Sequence, residues 1–257
     1  MLDLISIEKG FARNIKTYDE NALVQKQVVA NLYELIQKIL PASPRTILEV
    51  GCGTGLLTRL LNHTYQNAHY YINDLNTCVQ ELLPKILPDA KYEFLPGDAQ
   101  KIQWPANIDL VVSSSTVQWF GDPCAFFQNI KQSLSPNGYL FFSTFGIQNL
   151  QEVTAITGKG LNYSSLDQLE TWLEAEFIIL KKFEETTQLV FDHPFQVLKH
   201  LKHTGVTANF NVIKNKTQLN HFCNLYKKWF STTKGVRLTY HPIYFAVKTK
   251  NYMNIKL

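Results

Sequence analysis

The sequence predicts an α/β fold built on a mostly parallel sheet with helices on both faces. Short apolar runs alternate with stretches of helical periodicity, an alternation typical of such sheets. One run, Ile108–Ser113, has a continuous apolar core, which suits a strand buried on both faces. Another run leads directly into a glycine-rich loop, Gly51–Gly55. Because such sheets bind ligands beyond the carboxyl ends of their strands, this loop marks the candidate site.

The elements of the first half can be placed one by one. We expect strands at Thr46–Val50, Tyr70–Asn73, Tyr92–Leu95, Ile108–Ser113 and Tyr139–Phe145. Helices are predicted over residues 19–40, at Thr54–Tyr65, at Thr77–Leu87 with a bend at Pro84, and from Pro123, where Asp122 is an N-cap acid ahead of proline. The segment between the third and fourth strands is too short for a full helix. Ser135–Gly138 is predicted to be a turn.

The second half alternates less regularly. Helices are expected from Ser165, after Asp192 and at Thr217–Phe230, the last with Trp229 on its inner face. Extended segments are expected at Phe177–Lys182 and Gln188–Phe191, and a last strand at Ile243–Lys248. We predict one domain, 1–257, whose core comprises residues 46–184 and 241–257. Residues 1–45 are predicted to form a helical lid segment. Residues 185–240 are predicted to be a helical lid insertion over the carboxyl edge of the sheet.

The composition excludes a disordered chain. Hydrophobic residues make up 45% and charged residues 18% of the 257 residues, enough for a substantial core. A net charge of +4 does not favour nucleic-acid binding, although a mildly basic surface suits an acidic protein partner. The four scattered cysteines form no C-x-x-C pair and fit a reducing compartment. With no long apolar run and no signal-peptide pattern, we expect a cytoplasmic protein that contacts no membrane.

The glycine loop differs from two better-known phosphate loops. A dinucleotide fingerprint has the spacing G-x-G-x-x-G, whereas here Gly55 comes one position early; a P-loop requires a Lys that is absent here. The run Glu49-Val50-Gly51-Cys52-Gly53-Thr54-Gly55 instead resembles the first motif of class I S-adenosylmethionine-dependent methyltransferases. A purely structural turn would seldom use three glycines at alternate positions. The resemblance implies a Rossmann-like seven-stranded sheet and S-adenosylmethionine as cofactor.

Three further loops follow predicted strands. Asp74 lies about 20 residues beyond the glycine loop, where an acid commonly accepts hydrogen bonds from ribose hydroxyls; a turn or N-cap role is the alternative. Asp98 with Ala99 could accept from an exocyclic amine, or be an ordinary turn. In the loop Ser113–Trp119, hydroxyls are suitable donors, and Trp119 is either an aromatic wall or a core residue.

The flanks resemble the malonyl-acyl-carrier-protein O-methyltransferases of biotin synthesis. The resemblance rests on Phe11-Ala12-Arg13 through Tyr18-Asp19 with Ala22 and Gln25, on Ser113 through Gln118-Trp119, and on His200-Leu201-Lys202 with Thr204-Gly205 and Leu238-Thr239-Tyr240-His241. It implies methyl transfer to the free carboxylate of a malonyl thioester on acyl carrier protein or coenzyme A, giving the ester that primes pimelate synthesis. It also implies the cofactor contacts, at Tyr18, Gln25, Glu49, Gly51, Gly53, Gly55, Asp74, Leu75, Asp98, Ala99 and Ser114. Ser114 stands where relatives often have Asn.

Two side chains are candidates for the catalytic role. Tyr18 offers a hydroxyl and an aromatic face, which would attract a sulfonium. Lys202 is a candidate for contact with the malonyl carboxylate or with an acidic partner, whereas Lys199 is expected to be a solvated surface charge. His200 and His203 have no evident third ligand, so no metal site is predicted. A methyltransferase for another small acceptor and a non-catalytic adenosine-ligand-binding module remain the alternatives.

Overall fold

The computed structural model describes residues 18–205, 213 and 215–250. Residues 18–21 are helical and lead into the first long helix. The helices are α1 (Leu23–Ile39), α2 (Leu56–Thr64), α3 (Leu83–Ile86), α4 (Pro123–Ser133), α5 (Gln151–Thr157), α6 (Leu166–Glu176), α7 (Pro194–His203) and α8 (Lys216–Phe230). Two 3₁₀ helices are found at Thr77–Glu81 and Val117–Trp119. In the part of the chain covered by these ranges, no helix combines the length and apolar character that crossing a bilayer requires.

Seven strands form the central sheet. They are β1 (Thr46–Val50), β2 (His69–Asp74), β3 (Lys91–Pro96), β4 (Ile108–Ser114), β5 (Leu134–Phe145), β6 (Phe177–Glu184) and β10 (Pro242–Thr249), in the order β3-β2-β1-β4-β5-β10-β6. The first five of this order pair in parallel, and only β10 runs antiparallel to its neighbours. The chain leaves β1 toward β2 on one side and returns from β3 to β4 on the other. The gap between the ends of β1 and β4 is therefore the topological switch point, where such sheets bind ligands.

Helices cover both faces of this sheet, as the sequence predicts. On β1, Ile47 packs into one apolar cluster with α1 and α2, and Leu48 packs into a second cluster with α4 and α6. Both residues are fully buried. Successive side chains of a strand point to opposite faces, so a continuous apolar run is needed where both faces are covered. The predicted α/β architecture with a mostly parallel seven-stranded sheet is confirmed.

A second, three-stranded antiparallel sheet lies in the segment predicted as an insertion. Its strands are β7 (Thr187–Phe191), β8 (Ser231–Thr232) and β9 (Gly235–Tyr240), in the order β7-β9-β8, so this segment is not purely helical. It is attached just beyond the carboxyl end of β5: the Gly146 N–H donates to the His241 carbonyl, and the Leu150 N–H donates to the Thr239 carbonyl. Glu152, fully buried on α5, accepts from the Thr239 N–H and hydroxyl.

Three local predictions were wrong. Residues 77–87 form a 3₁₀ helix and a single α-turn, because Pro84 cannot lie inside a continuous helix. Residues 135–138 belong to β5, where they bulge between the pairs Ile108–Leu134 and Leu110–Tyr139. Trp229 is 48% exposed, not on the inner face of α8, since Phe222 and Tyr226 provide the buried contacts there.

Strand β9 has no predicted counterpart. Its signal was nevertheless present in the sequence, because Val236, Leu238 and Tyr240 alternate with a period of two. All three side chains are buried, and they belong to the same apolar cluster as α1 and α2.

Candidate active site

A cavity of about 170 Å³ lies at the switch point of the central sheet. Its walls come from the loops after β1, β2, β3 and β4 and from the start of α1. It is lined by most of the side chains that the sequence predicts for a cofactor, namely Tyr18, Gln25, Glu49, Gly51, Gly53, Asp74, Leu75, Asp98, Ala99 and Ser114. Residues distant in sequence are thus brought together around one space.

Two predicted residues do not line this cavity. Gly55 is the N-cap of α2 at a φ of 78°, and an added Cβ would lie 2.5 Å from Ile86 Cδ1. Its smallness admits the Ile86 side chain rather than a ligand. Lys202 is exposed on α7, so its predicted catalytic place in the cavity is not supported.

The other two glycines of the loop serve different purposes. Gly51 has a φ of 73°, and a Cβ there would lie 2.2 Å from Thr116 Oγ1, so this glycine lets the loop after β4 pack against the loop after β1. Gly53 has a φ of 55°, lines the cavity, and has no atom within 4 Å of the place a Cβ would take. The bare backbone at Gly53 therefore leaves space for a ligand to approach.

Asp74 connects the two loops that follow β1 and β2. Its Oδ2 accepts from the Gly53 N–H at 2.7 Å, and its Oδ1 accepts from the Asn76 N–H at 2.8 Å. Burial raises the pKa of Asp74, and these backbone donors oppose the rise. The turn role and a place in the cavity therefore coexist at Asp74.

The loop after β3 has a similar construction. Asp98 Oδ1 accepts from the Gln100 N–H at 3.0 Å, and its Oδ2 lies 3.6 Å from Lys101 Nζ. Ala99 is buried beside it. On the opposite wall, the Ser114 hydroxyl lies 3.1 Å from the Ser143 hydroxyl, which occupies part of its hydrogen-bonding capacity.

Two buried amide or carboxylate oxygens of the cavity make no hydrogen bond. These are Glu49 Oε2, at the end of β1, and Gln25 Oε1, on α1. Burial, with a smaller contribution from the Asp74 carboxylate, raises the pKa of Glu49 to about 8, although the nearby Thr58 hydroxyl opposes the rise. A buried acceptor without a donor costs free energy, so both atoms fit a ligand that brings N–H groups, such as an ammonium.

The start of the described chain closes the cavity above the glycine loop. The Thr54 hydroxyl donates to Asp19 Oδ1 at 2.6 Å, which holds Tyr18 over the loop. Burial raises the pKa of the Tyr18 phenol, and the Asp19 and Asp74 carboxylates raise it further. Tyr18 therefore keeps its proton at neutral pH. The earlier part of the N-terminal motif, at residues 11–13, lies outside the described residues.

Several lining residues were missed as candidates. Ser115, at a φ of 55°, has a buried hydroxyl without a hydrogen-bond partner, and Phe120 lines the cavity near it. The only feature of the sequence that could have indicated Ser115 and Phe120 is their position after β4. Trp119 lines the cavity, which favours the predicted aromatic wall over a core position. Burial raises the pKa of the Cys52 thiol, so this residue is not an activated nucleophile.

The described residues contain no group of three His, Cys, Asp or Glu side chains placed to hold a metal ion. His200 hydrogen-bonds Tyr240 through Nε2 at 2.8 Å, and His203 Nδ1 lies 3.3 Å from Asn21 Oδ1. Both imidazoles thus connect α7 to neighbouring elements.

Residues 24–176 match the family model described as "Methyltransferase domain". Solved structures share the fold: a putative methyltransferase from Bacillus halodurans C-125 superposes with a TM-score of 0.63 at 12% identity, over 85% of this chain and 98% of that one. The N-methyltransferase NodS from Bradyrhizobium japonicum WM9, solved with S-adenosyl-L-homocysteine, gives a TM-score of 0.58 at 10% identity, over 95% and 98%. The fold and the cleft define an S-adenosylmethionine-dependent methyltransferase.

Similar proteins identify the family of this chain within the class of methyltransferases. Proteins named malonyl-[acyl-carrier protein] O-methyltransferase from Bacteroides thetaiotaomicron and Haemophilus influenzae are 38% and 40% identical, over 95% and 98% of this chain and 97% of each relative. A protein of the same name from Bacteroides fragilis is 41% identical over 95% of this chain, which spans only 50% of that relative's length. The chain belongs to the malonyl-[acyl-carrier protein] O-methyltransferase family.

The cavity fits the cofactor of this class, S-adenosylmethionine. Gln25 and Glu49 present free acceptors for its amino group, and Gly53 leaves space for the chain that carries this group. Asp74 also lines the cavity and would face the ribose hydroxyls, and the loop at Asp98 and Ala99 would face the adenine. When bound, the cofactor supplies an electrophilic methyl group on a sulfonium.

Proposed function

We propose that this protein transfers the methyl group of S-adenosylmethionine to the free carboxylate of a malonyl group held as a thioester on acyl carrier protein. The observation that carries this proposal is the similarity to relatives of that name over nearly the whole chain. The glycine loop alone would serve a methyltransferase for any acceptor. The similarity extends to both regions around the cavity that the general methyltransferase model leaves out, at each end of the chain.

The chemistry of the cavity suits a carboxylate acceptor. A malonyl carboxyl group has a pKa of about 4 or below, so it is ionised at neutral pH and needs no general base. The cavity walls described here contain no His or Lys side chain. Asp74 and Asp98 already accept backbone N–H groups. The task left to the protein is to align the carboxylate oxygen with the methyl carbon and to exclude water.

Tyr18 supports this assignment as a positioning group at the cofactor. Its phenol is neutral because burial and two carboxylates raise its pKa. A neutral hydroxyl donates a hydrogen bond and adds no fixed charge beside the reacting carboxylate. The aromatic face attracts the sulfonium cation.

The two predicted lid regions are part of the proposal. We assign the N-terminal segment from Tyr18 to residue 45 and the described part of residues 185–240 to the cover of the cavity, around a core formed by residues 46–184 and 241–250. Tyr18 and Gln25 lie in the cavity wall, which supports the first assignment. The contact of His203 with Asn21 joins α7 to the segment that carries Tyr18, which supports the second.

The remaining expectations concern the setting of the reaction. Malonyl-coenzyme A presents the same carboxylate and is the alternative acceptor. All four cysteines are free thiols, which agrees with the cytoplasm as the place of action. By family resemblance, the methyl ester masks a charge so that chain elongation toward pimelate, for biotin, can proceed.

Methyl transfer from labelled S-adenosylmethionine tests the proposal. The protein is incubated with malonyl-acyl carrier protein, and the label is followed into an alkali-sensitive ester. Acetyl-acyl carrier protein, which lacks the free carboxylate, is the control acceptor. We expect label on the malonyl form only. Transfer to another acid with none to malonyl, or cofactor binding without any transfer, would refute the assignment.

A further inference from the structure

Charge is distributed very unevenly along the chain. Residues 193–257 contain 11 Lys or Arg residues and no Asp or Glu, so the other 14 basic residues and all 21 acidic residues lie in residues 1–192. The modest net charge of +4 is therefore the sum of an acidic segment, residues 1–192, and a basic segment, residues 193–257. Within the described part of the basic segment, the basic side chains belong to α7, α8, the strands β9 and β10, the turn between β8 and β9, and one residue after β10.

Helix α7 brings this positive charge close to the cavity. Near its carboxyl end, His203 contacts Asn21, three residues from Tyr18, which lines the cavity. One turn earlier, His200 hydrogen-bonds Tyr240. A helix attached at these two points lies beside the N-terminal wall of the cavity.

The outer face of α7 combines positive charge with an apolar side chain. Phe195, Lys199 and Lys202 are spaced i, i+4 and i+7, so they share one face, and all three are exposed. They extend along about 10 Å of the helix axis. Phe195 is 53% exposed, whereas Val197 and Leu201 on the other side of the helix are fully buried. An exposed aromatic ring beside lysines is typical of the anchor of a protein interface.

We propose that this face of α7 docks an acidic protein that delivers the malonyl group to the cavity. The proposal rests on the proposed function, under which that protein is the acyl carrier protein. The charge pattern favours an acidic protein over a nucleic acid. A long polyanion that extends past the helix would be repelled by the acidic segment, residues 1–192. Opposite potentials across such an interface increase the association rate and select the partner.

The charge reversal Lys199→Glu tests this surface. We measure kcat/KM for malonyl-acyl carrier protein and for malonyl-pantetheine, a thioester without the protein. The variant is expected to lose about tenfold in kcat/KM for the protein-bound substrate, mainly through KM, and to lose little for malonyl-pantetheine. Phe195→Ser should act in the same direction without a change of charge. The wild-type rate on the protein-bound substrate should fall as salt is added.

Lys91→Glu is the matched control. Lys91 is equally exposed but begins β3, at the opposite edge and opposite end of the central sheet. This variant is expected to stay within about twofold of wild type, since its charge lies outside the interface. Affinity for S-adenosylhomocysteine, measured by calorimetry, should be equal in all variants and reports correct folding.

The outcomes separate the two proposals. If wild type methylates neither malonyl substrate, the proposed function fails. If wild type methylates the protein-bound substrate and Lys199→Glu does so equally well, the docking surface is refuted and the function stands. Equal losses in Lys199→Glu and Lys91→Glu also refute it. Tighter binding of a DNA duplex than of the carrier protein, lost in Lys199→Glu, would assign the surface to a nucleic acid instead.

Discussion

The three carboxylates in the described walls of the cavity differ in their hydrogen-bond partners. Asp74 and Asp98 accept backbone N–H groups and so shape the loops after β2 and β3. Glu49 instead has an oxygen without a donor, and burial raises its pKa to about 8. This difference predicts different roles: the two aspartates preorganise the cleft, whereas Glu49 changes its protonation when a cation arrives.

Gly53→Val is expected to weaken S-adenosylhomocysteine binding by about tenfold or more, because its side chain would occupy cavity space. Gly158→Val is the matched control. Gly158 has a φ of 65°, similar to the 55° of Gly53, and likewise has no atom near an added Cβ, but it lies outside the cavity. Titration calorimetry compares the two. Equal affinities in both variants would refute the loop assignment.

Because the pKa of Glu49 is raised, we expect the affinity for S-adenosylhomocysteine to depend on pH. Its carboxyl is mostly protonated at pH 7 in the free protein, and a bound ammonium favours the ionised form, so binding releases a proton. Affinity for S-adenosylhomocysteine should therefore rise as pH increases toward about 8. Glu49→Gln should bind more weakly and lose this rise. Calorimetry in buffers of different ionisation enthalpy measures the proton directly; zero release in wild type would contradict the expectation.

Tyr18→Phe should lower kcat by about tenfold or more and change the melting temperature little, since it removes a positioning hydroxyl at the cofactor. Tyr65→Phe is the control, because its hydroxyl accepts from Gln37 at 2.9 Å and does not line the cavity. Activity per folded molecule separates the two. If Tyr18→Phe melts much earlier but keeps wild-type turnover, Tyr18 is structural.

At the residue scale, the sequence predicted the cavity well wherever a residue follows a strand. Gly51, Asp74 and Asp98 are examples, because strand ends converge at one edge of a parallel sheet. Gly55 was misplaced because the spacing of glycines does not reveal whether a side chain or a ligand fills the space. Ser115 was not distinguished from the other hydroxyls of the loop Ser113–Trp119, because burial of a hydroxyl depends on the packing of distant loops.

At the scale of elements, the strands of the central sheet were predicted to within two residues at each end, except that β5 begins five residues before its predicted start. Helix α4 was predicted equally well, since Asp122 accepts from the Ala125 N–H as an N-cap. The insertion was predicted less well. Strand β9 pairs with β7 across more than 40 residues, and such non-local pairing leaves only a short alternation in the sequence.

A partly buried histidine on helix α7 leads us to expect that the free energy of unfolding depends on pH. Burial, with a smaller contribution from His203, lowers the pKa of His200 to about 4, so the folded protein keeps this imidazole neutral. The unfolded chain binds a proton near pH 6.5, so the unfolded state gains protons first as pH falls. Stability should therefore decrease between about pH 6.5 and 4.

His200→Gln should reduce this dependence, because glutamine can hydrogen-bond Tyr240 but does not titrate in this range. Urea unfolding midpoints across this pH range provide the measurement. A variant with the same slope as wild type would show that the acid sensitivity arises at other groups.

At the scale of the whole molecule, the strand order explains why the site lies where it does. The reversal between β1 and β4 separates the loops that follow them, and Gly51 lets Thr116 lie directly against the first loop. The helical N-terminal segment adds a wall through Tyr18 and Gln25, and the insertion after β6 contacts this segment through His203. One sheet edge thus positions the cofactor site, and the basic helix α7 lies beside it.

A crystal structure of the complex with S-adenosylhomocysteine tests the central claim most directly. We predict the amino group of the ligand at Glu49 and Gln25, its amino-acid chain along Gly51–Gly53, and its ribose at Asp74. The vacated methyl position should face Tyr18 and open space large enough for a malonyl group. A ligand bound elsewhere, or a cleft closed by side chains around Gly53, would contradict the account.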